Sequence, residues 1–401
     1  MSNAMLPFAL PAPPDGGVDL LLIAGEHSGD EHAARVVREL KLKQPNLRVC
    51  ALGGPEIAAA GGQVLHDLTA TSVVGFVEVL KHYSFFKALF DATLKWIEQY
   101  RPRAVCFVDY PGFNLRLAAQ MRARGLSGKG GGAIRTLFYI SPQIWAWKAQ
   151  RRFTMARDLD AVATIFPFEP ACYADTGLPA EFVGHPFLAD DYVSPVRYEA
   201  AGPILLLPGS RIQAVTRILP LLLGGFSDYR KTHSEARAVV LFPSDEVAAV
   251  VRDELARWPD LGSAVSVQPV AESGAHGAPL AASAVLTSSG TMSLHCALAE
   301  IPGAIAYRTN PLTYLLARWW VKIDYIGIAN LLLMEPMYPE FIQGAATRSA
   351  LGRQLRECTD EPARLVAVQQ QARRLRRLLT APTRGSAADW ILARLDGTEP
   401  S

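Results

Sequence analysis

The sequence predicts an α/β fold of two Rossmann-like, doubly wound domains facing across a cleft, and three observations carry that expectation. Short apolar runs of strand length alternate with longer helical stretches. The alternation pauses after Gly184-His185-Pro186, passes through a polar, proline-bearing stretch and then starts afresh. The chain, at 401 residues, is also too long for one ordinary core, while half of it is apolar and 19% is charged, so two large buried cores are affordable.

At the start, Ser2-Asn3-Ala4 before Met5 reads as a cloning scar, and the stretch through Pro14 and Gly17 carries too much Pro and Gly to pack. Residues 1–17 are therefore expected to be a disordered tag and leader. Asp19–Ala24 (DLLLIA) reads as a buried strand, followed by a glycine-bearing loop and a helix from about Asp30. Val49–Leu52, Ala104–Val108, Thr136–Ile140 and Ala161–Phe166 repeat the pattern. Near-continuous apolar strands separated by helices imply a parallel sheet covered on both faces. The run Gly128–Gly132 is a flexible loop extension. A second series opens at Pro203–Leu207 and continues with Ala238–Phe242, Val265–Val267, Ala284–Leu286 and Gly303–Tyr307. Helical segments from Pro311 onward and from Glu361 to Ala393 close the chain. The expected organisation is an N-terminal domain over 18–186, a C-terminal domain over 187–360, and helices over 361–401 packing back towards the N-terminal domain.

A formal charge of +2 argues against a polyelectrolyte-like nucleic-acid binder. The basic residues are uneven, with Arg373, Arg374, Arg376 and Arg377 following an apolar segment that holds Trp319, Trp320 and Lys322. Five scattered cysteines form no CxxC pair, which suits buried thiols in a reducing cytosol. No apolar run reaches the roughly 18 residues of a spanning helix. A cytoplasmic protein that touches a membrane only from outside is expected.

Several loops carry groups suited to chemistry. Gly25-Glu26-His27-Ser28-Gly29-Asp30 joins a strand to a helix, where free N–H groups favour an anion or a sugar hydroxyl; the plainer reading is a βα turn with Asp30 capping its helix. The loop lacks the spacing of a Walker motif or of GxGxxG, and its histidines do not share a face as metal ligands would. Asp109 ends an apolar strand in Asp109-Tyr110-Pro111-Gly112-Phe113-Asn114, well placed for a general base or for a helix cap. In the second half, Leu207-Pro208-Gly209-Ser210-Arg211 and Ser288-Ser289-Gly290-Thr291 each join a strand to a helix. An Arg and small hydroxyl residues at two helix starts on one sheet suit a nucleotide diphosphate, or each is a simple cap. The Asp-x-Asp match, Asp158-Leu159-Asp160, precedes a buried strand, where a polar loop is expected anyway. No metal is expected, so helix starts and cations would have to stabilise a leaving diphosphate.

Phe85–Ile97 carries an apolar helical stripe that fits a core face. With Lys81, Lys87 and Lys95 flanking Phe85, Phe86 and Phe90, it also fits an interfacial helix. Trp145-Ala146-Trp147-Lys148 is divided in the same way between packing and substrate contact.

These segments, in this order, resemble the lipid-A-disaccharide synthase family. The matches are GEHSGD at Gly25–Asp30, GGP at Gly53–Pro55, VVGFVEVL at Val73–Leu80, Asp109 through Asn114 and YISPQIWAW at Tyr139–Trp147. FPFE at Phe166–Glu169, GHP at Gly184–Pro186, LLPGSR, SSGT, Tyr307-Arg308, Asn330-Leu331-Leu332 and PEFIQ at Pro339–Gln343 continue the series. The resemblance implies a GT-B-type enzyme without metal or other cofactor, holding a UDP-sugar in its C-terminal domain and the acceptor in its N-terminal one. It implies that UDP-2,3-diacylglucosamine and 2,3-diacylglucosamine 1-phosphate give the β-1,6-linked disaccharide phosphate and UDP, with inversion. Asp109 takes the place of the family's base. Ser210, Arg211, Ser289, Gly290 and Thr291 would hold the diphosphate, with Arg308, Asn330, Glu340 and Gln343 helping the nucleotide. Glu26, Ser28 and Gly29 would line the cleft, and Val74, Phe76, Val77, Phe85, Phe86 and Trp145 would meet the acyl chains. The implied partners are these two acyl-sugars and the inner face of the inner membrane, with no nucleic acid, and a homodimer is compatible.

Four positions depart from the family pattern. Gly112 replaces the second Asp of the base motif, Ala214 and His295 replace glutamates, and Ala329 replaces the Pro before Asn330. His295 matters most, because a carboxylate can grip ribose hydroxyls through two acceptor oxygens and a neutral imidazole through one. Two other readings fit the residues: a diverged paralogue binding lipid or nucleotide without this chemistry, and another GT-B-type enzyme, such as a UDP-sugar epimerase acting on soluble sugars.

Overall fold

A computed structural model describes residues 9–69, 83–189, 192–270, 278–310 and 324–397. Val74, Phe76 and Val77 lie outside the described residues, as do Lys81, Trp319, Trp320 and Lys322. The chain divides into two compact units, one running to Pro186 and including Ala381–Ser401, the other spanning Phe187–Thr380.

The first unit is built on a sheet ordered β3-β2-β1-β4-β5-β6-β7 with parallel pairing throughout. Its strands are β1 (Leu20–Ala24), β2 (Val49–Gly53), β3 (Gln63–Asp67), β4 (Ala104–Val108), β5 (Arg135–Tyr139), β6 (Ala161–Thr164) and β7 (Ala180–Phe182). Successive side chains of a strand face opposite sides. Leu21 and Ile23 accordingly join one core with Phe107, Leu117 and Met121, while Leu20, Leu22 and Ala24 join another with Val37 and Leu40. Both faces are covered, which is why the central strands read as unbroken apolar runs. The covering helices include α1 (His27–Lys43), α3 (Tyr83–Tyr100), α4 (Pro111–Ala123) and α5 (Arg151–Asp158), with the short α2 (Pro55–Ala59) beside α1.

Three expectations are corrected here. Helix α1 starts at His27, not near Asp30. The leader from residue 9 is packed where it is described: Leu10 rests on the core, and the Pro11 carbonyl accepts a 2.8 Å bond from Trp96 Nε1. A nearly buried indole N–H needs an acceptor, and the extended proline segment supplies one. The closing segment 361–401 does not return as one group. Helix α11 (Pro362–Leu379) belongs to the second unit, while α12 (Ala387–Leu395) belongs to the first, where Trp390, Ile391 and Leu395 complete the core beside α1. A capping box between Ser386 and Asp389 starts α12. The basic cluster serves its own unit: Arg374 pairs with Glu335 at 2.8 Å, and Arg376 donates to the Leu298 carbonyl.

The second unit has a sheet ordered β11-β10-β9-β13-β14-β15, again parallel. It contains β9 (Ile204–Leu207), β10 (Ala238–Phe242), β11 (Val265–Pro269), β13 (Ala284–Thr287), β14 (Gly303–Tyr307) and β15 (Glu340–Ile342), with the small pair β8 (Val196–Tyr198) and β12 (Leu280–Ala282) apart. Its helices include α6 (Ile212–Tyr229), α7 (Asp245–Leu255), α8 (Thr291–Leu298), α9 (Ile328–Leu333) and α10 (Arg348–Asp360). Among the described residues no helix is long and apolar enough to cross a membrane.

In each unit the order of the strands reverses at one point. In the first unit the chain leaves β1 towards β2 and β3, then returns to place β4 on the other side of β1. In the second, β9 leads to β10 and β11 before β13 lands on its free side. A crevice opens at the carboxyl ends of the strands where such a sheet reverses, and ligands of open α/β sheets bind there.

Candidate functional site

The four loops singled out in the sequence fall on these two reversal points. In the first unit, Gly25–Asp30 follows β1 and Asp109–Asn114 follows the adjacent β4, with Ala24 paired to Val108. Gly25 is required by the contact between the loops: a Cβ there would lie 2.1 Å from the Tyr110 ring. Asn114 is fully buried, and its Nδ2 donates to the Asp109 carbonyl at 2.7 Å and the Ile23 carbonyl at 3.3 Å. One side chain thus ties together the ends of both strands.

Asp109 and Tyr110 both take left-handed backbone conformations, with φ of 46° and 48°. Non-glycine residues pay of order 1–3 kcal/mol for such sites, which cluster where function needs them. Here Asp109 N–H donates to Tyr139 O at 3.0 Å, Pro111 opens α4, and the Tyr110 ring stacks on Phe113. The half-buried Asp109 is held at a strand end by bonds to its backbone on both sides. The position of Gly112 has open space around its missing side chain, so sterics do not explain why the family's second Asp is absent.

Asp30 does not cap its own helix. It is fully buried inside α1, and its carboxylate accepts from the N–H groups of Gly54, Glu56 and Ile57 at 2.7, 3.0 and 3.4 Å. Burial raises its pKa against the opposing pull of those donors. GEHSGD and GGP are therefore one structural unit: the carboxylate supplies the start of α2 with acceptors. Glu26 is the N-cap position of α1 with no side-chain cap bond, and Ser28 and Gly29 lie in its first turn.

In the second unit, Pro208–Arg211 and Ser288–Gly290 emerge from the adjacent β9 and β13. Ser288 N–H donates to Leu207 O at 2.8 Å, and Gly209, with φ of 112°, has room for a Cβ only 3.3 Å from Ser288 Oγ. Helix α6 starts after Arg211 and α8 after Gly290. Neither has a side-chain cap bond or an acidic residue in its first turn. Two such helix starts side by side form a positive, N–H-rich place suited to an anion. Ala214 lies in the first turn of α6, where its methyl would meet a Cβ placed at Gly209 at 3.5 Å. Ser210, Arg211 and Thr291 are exposed, and Ser289 and Gly290 are half-buried.

His295 lies one turn beyond Thr291, buried, with Nδ1 hydrogen-bonded to the Tyr192 hydroxyl and its ring 3.9 Å, centroid to centroid, from Phe187. The substitution therefore comes with two aromatic partners from the segment before β8, which sequence spacing could not reveal. Arg308, after β14, donates to Ala346 O at 3.5 Å, and the Gln343 side chain joins the adjacent Thr309 backbone at both N–H and C=O. Asn330 and Glu340 are bonded to one another at 2.8 Å; Asn330 also exchanges bonds with the Tyr338 backbone, and Glu340 accepts from Ile326 and Gly327 N–H. These two side chains hold the start of α9.

Phe85 packs on the first core and against His66, and the buried Leu89, Leu94 and Ile97 place the stripe of α3 on the core side. Trp145 is fixed by a 3.2 Å bond from Nε1 to Glu169 and by edge contacts with Phe166 and Phe168. Both carboxylates of Asp158-Leu159-Asp160 are structural, Asp158 pairing with Arg122 and Arg157 and Asp160 accepting from Thr136. Among the described residues no group of three His, Cys, Asp or Glu is placed to hold a metal.

Glu169, in the FPFE motif, is a buried carboxylate beside Trp145 whose role the sequence does not show. Its carboxylate accepts from Ile165 N–H, Phe166 N–H and Trp145, yet burial pushes its pKa up to about 7. A carboxyl whose pKa is higher in the folded chain than the usual 4.5 stabilises the fold fully below that value and loses the contribution as pH rises through 7. The loss amounts to roughly 3 kcal/mol. Glu169→Gln is therefore expected to flatten the fall in stability across that window, measured by denaturant titration at a series of pH values.

Comparisons with known proteins show the family and the fold. A family model described as Lipid-A-disaccharide synthetase matches residues 20–393. Lipid-A-disaccharide synthase 1 of Legionella pneumophila (strain Paris) is 31% identical over 391 residues, covering 94% of this chain and 97% of that protein. Lipid-A-disaccharide synthase of Nitrosococcus oceani is 32% identical over 385 residues, covering 94% and 96%. Among solved structures, a putative UDP-N-acetylglucosamine 2-epimerase from Listeria monocytogenes superposes with a TM-score of 0.59 at 11% identity, covering 95% of this chain and 96% of that one. That likeness shows the fold, the two-domain α/β architecture of GT-B type. With a matching model across nearly its whole length and relatives above 30% identity, the chain belongs to the lipid-A-disaccharide synthetase family.

Proposed function

We propose that the chain joins UDP-2,3-diacylglucosamine to 2,3-diacylglucosamine 1-phosphate, giving lipid A disaccharide 1-phosphate and UDP. The observation that carries the reading is the coincidence of all four motif loops with the two sheet reversals. Asp109 sits at one, and two uncapped helix starts sit at the other. In this reading Asp109 takes the proton from the acceptor's 6-hydroxyl as its oxygen attacks the anomeric carbon of the donor. The bond from that carbon to the diphosphate oxygen breaks on the opposite face, so the configuration inverts. Negative charge grows on the departing UDP, where Ser210, Arg211, Ser289, Gly290 and Thr291 meet it with hydrogen bonds and a cation. Asn330 and Glu340 act one step back, by fixing α9 and β15, while Arg308 and Gln343 complete the nucleotide side. Glu26, Ser28 and Gly29 line the acceptor side, and the chain works at the inner face of the inner membrane, where a homodimer is compatible with the reaction.

The test is UDP release by the purified chain given both acylated sugars, with Mg²⁺ and with a chelator. Equal release in both is expected, because helix starts and Arg211 replace a cation. Release that requires Mg²⁺ would overturn the metal-free account. If UDP binds but is not released from the donor, the reading of a paralogue without this chemistry takes over, with the His295–Tyr192 pair as the feature that redirected the donor side.

A further inference from the structure

Every exposed Trp or Phe among the described residues comes from one stretch of the first unit: Trp147, Phe153 and Phe168, between 42% and 47% exposed. They belong to the segments that follow β5 and β6, at the same carboxyl edge of the sheet from which Asp109 emerges on β4. These segments are rigidly held. Phe168 stacks on Phe166 with centroids 5.8 Å apart, and Trp145 closes edge-on against both. On the neighbouring wall, Ser141 bonds to the buried Tyr173 hydroxyl at 2.6 Å. Arg152 covers the Phe153 ring at 4.4 Å and reaches Asp175, next to the short helix that carries Cys172, whose thiol meets the Phe168 carbonyl.

Cations are interleaved with the rings. Lys148 Nζ lies 4.4 Å and the Arg151 guanidinium 5.6 Å from the centre of the Trp147 ring. Arg152 is neutralised by Asp175, but no carboxylate pairs with Lys148 or Arg151 among the described residues. Single exposed apolar residues need no explanation, whereas rings gathered at one edge and joined by unneutralised cations mark a contact surface.

We propose that this Trp147–Phe153–Phe168 edge, with Lys148 and Arg151, is the surface by which the chain docks on an anionic lipid bilayer. Aromatic rings with a polar rim settle at headgroup depth, and the two cations complement the negative surface of such a leaflet. The choice of a bilayer over another anionic partner rests on the proposed reaction, whose substrates are membrane-embedded amphiphiles. Docking by this edge would present the Asp109 side of the sheet to them. It also assigns membrane contact to described residues, in place of the α3 stripe that faces the core.

The experiment is flotation of the full chain with phosphatidylcholine vesicles, with and without phosphatidylglycerol, comparing wild type with Lys148→Glu/Arg151→Glu and Trp147→Ser/Phe168→Ser. Wild type is expected to float with the anionic vesicles, and less so as salt rises. Each cation near such a surface contributes about 1 kcal/mol, so loss of the two alone weakens partitioning about 30-fold, and the reversed charges of the variant should weaken it further. The aromatic variant should weaken binding to a similar extent and lose its salt-resistant part. All these side chains are exposed or half-buried, and an unchanged thermal transition confirms folding. UDP release from detergent-dispersed substrates should persist in both variants, so loss of docking is read separately from failure of the reaction. Equal flotation of variants and wild type would overturn the proposal. So would a raised KM confined to the phosphorylated acceptor in detergent, which would make the two cations a phosphate subsite instead.

Discussion

Asp109→Asn is expected to lower the turnover of UDP release by roughly 10²- to 10⁴-fold, the range over which a positioned general base acts. The substitution removes the proton-accepting charge while keeping the size and shape of the side chain. Asn tolerates a left-handed backbone about as well as Asp, so the φ of 46° at this position need not change. The bond from Asn114 Nδ2 goes to the backbone carbonyl of residue 109, and that from its own N–H goes to Tyr139; neither involves the side chain. Ala would remove the base and add strain together. UDP affinity by calorimetry should be unchanged, because the nucleotide-binding groups proposed here lie in the other unit. Normal turnover by Asp109→Asn would dismiss Asp109 as the base and leave its strained geometry without this explanation.

The second large effect is expected on stability. Asn330 is fully buried, bonded through Nδ2 to Tyr338 O at 2.7 Å and to Glu340, and through Oδ1 to Tyr338 N–H at 2.9 Å. Asn330→Ala would strand the buried N–H and carbonyl of Tyr338, while the Glu340 oxygen keeps its bond from Gly327 N–H. Each unsatisfied group costs about 1–3 kcal/mol, and a total near 3–5 kcal/mol is expected. Tyr338 is itself buried, with its hydroxyl on the Ile301 carbonyl, so no water replaces the lost partners cheaply. In urea the transition of the second unit should move to lower concentration while that of the first stays in place. If the transition is unmoved and UDP affinity falls instead, Asn330 touches the nucleotide directly and the supporting role assigned to it is wrong.

Sequence alone determined the layered class of the fold, because it is written in local pattern. Strands such as Leu20–Ala24 and Ala104–Val108 are buried on both faces, so each reads as an unbroken apolar run that no exposed element would carry. It also placed the four motif loops, since a strand end followed by glycine and a helix start is a local event. The short edge strands β3, β7 and β15 escaped because half-exposed edges carry no such run. The beginning of α1 was placed late because Asp30 looks like an N-cap, and only the approach of Gly54 shows that its acceptors face another helix.

What tertiary structure decided is everything that depends on residues distant in the chain. The pairing of β1 with β4 and of β9 with β13 is fixed by crossovers of 80 residues or so, and it alone brings the motifs together in pairs. Asn330 and Glu340 read as ligand contacts in sequence, since an amide and a carboxylate look the same whether they face a nucleotide or a backbone. His295 reads as a lone substitution until Phe187 and Tyr192 fold over it. The rings of Trp147, Phe153 and Phe168 are ordinary apolar residues in sequence, and only packing decides that Trp145 and Phe166 turn inward while these three stay at the surface. Local composition sets which elements form; burial and long-range hydrogen bonding set which of their side chains remain available for chemistry.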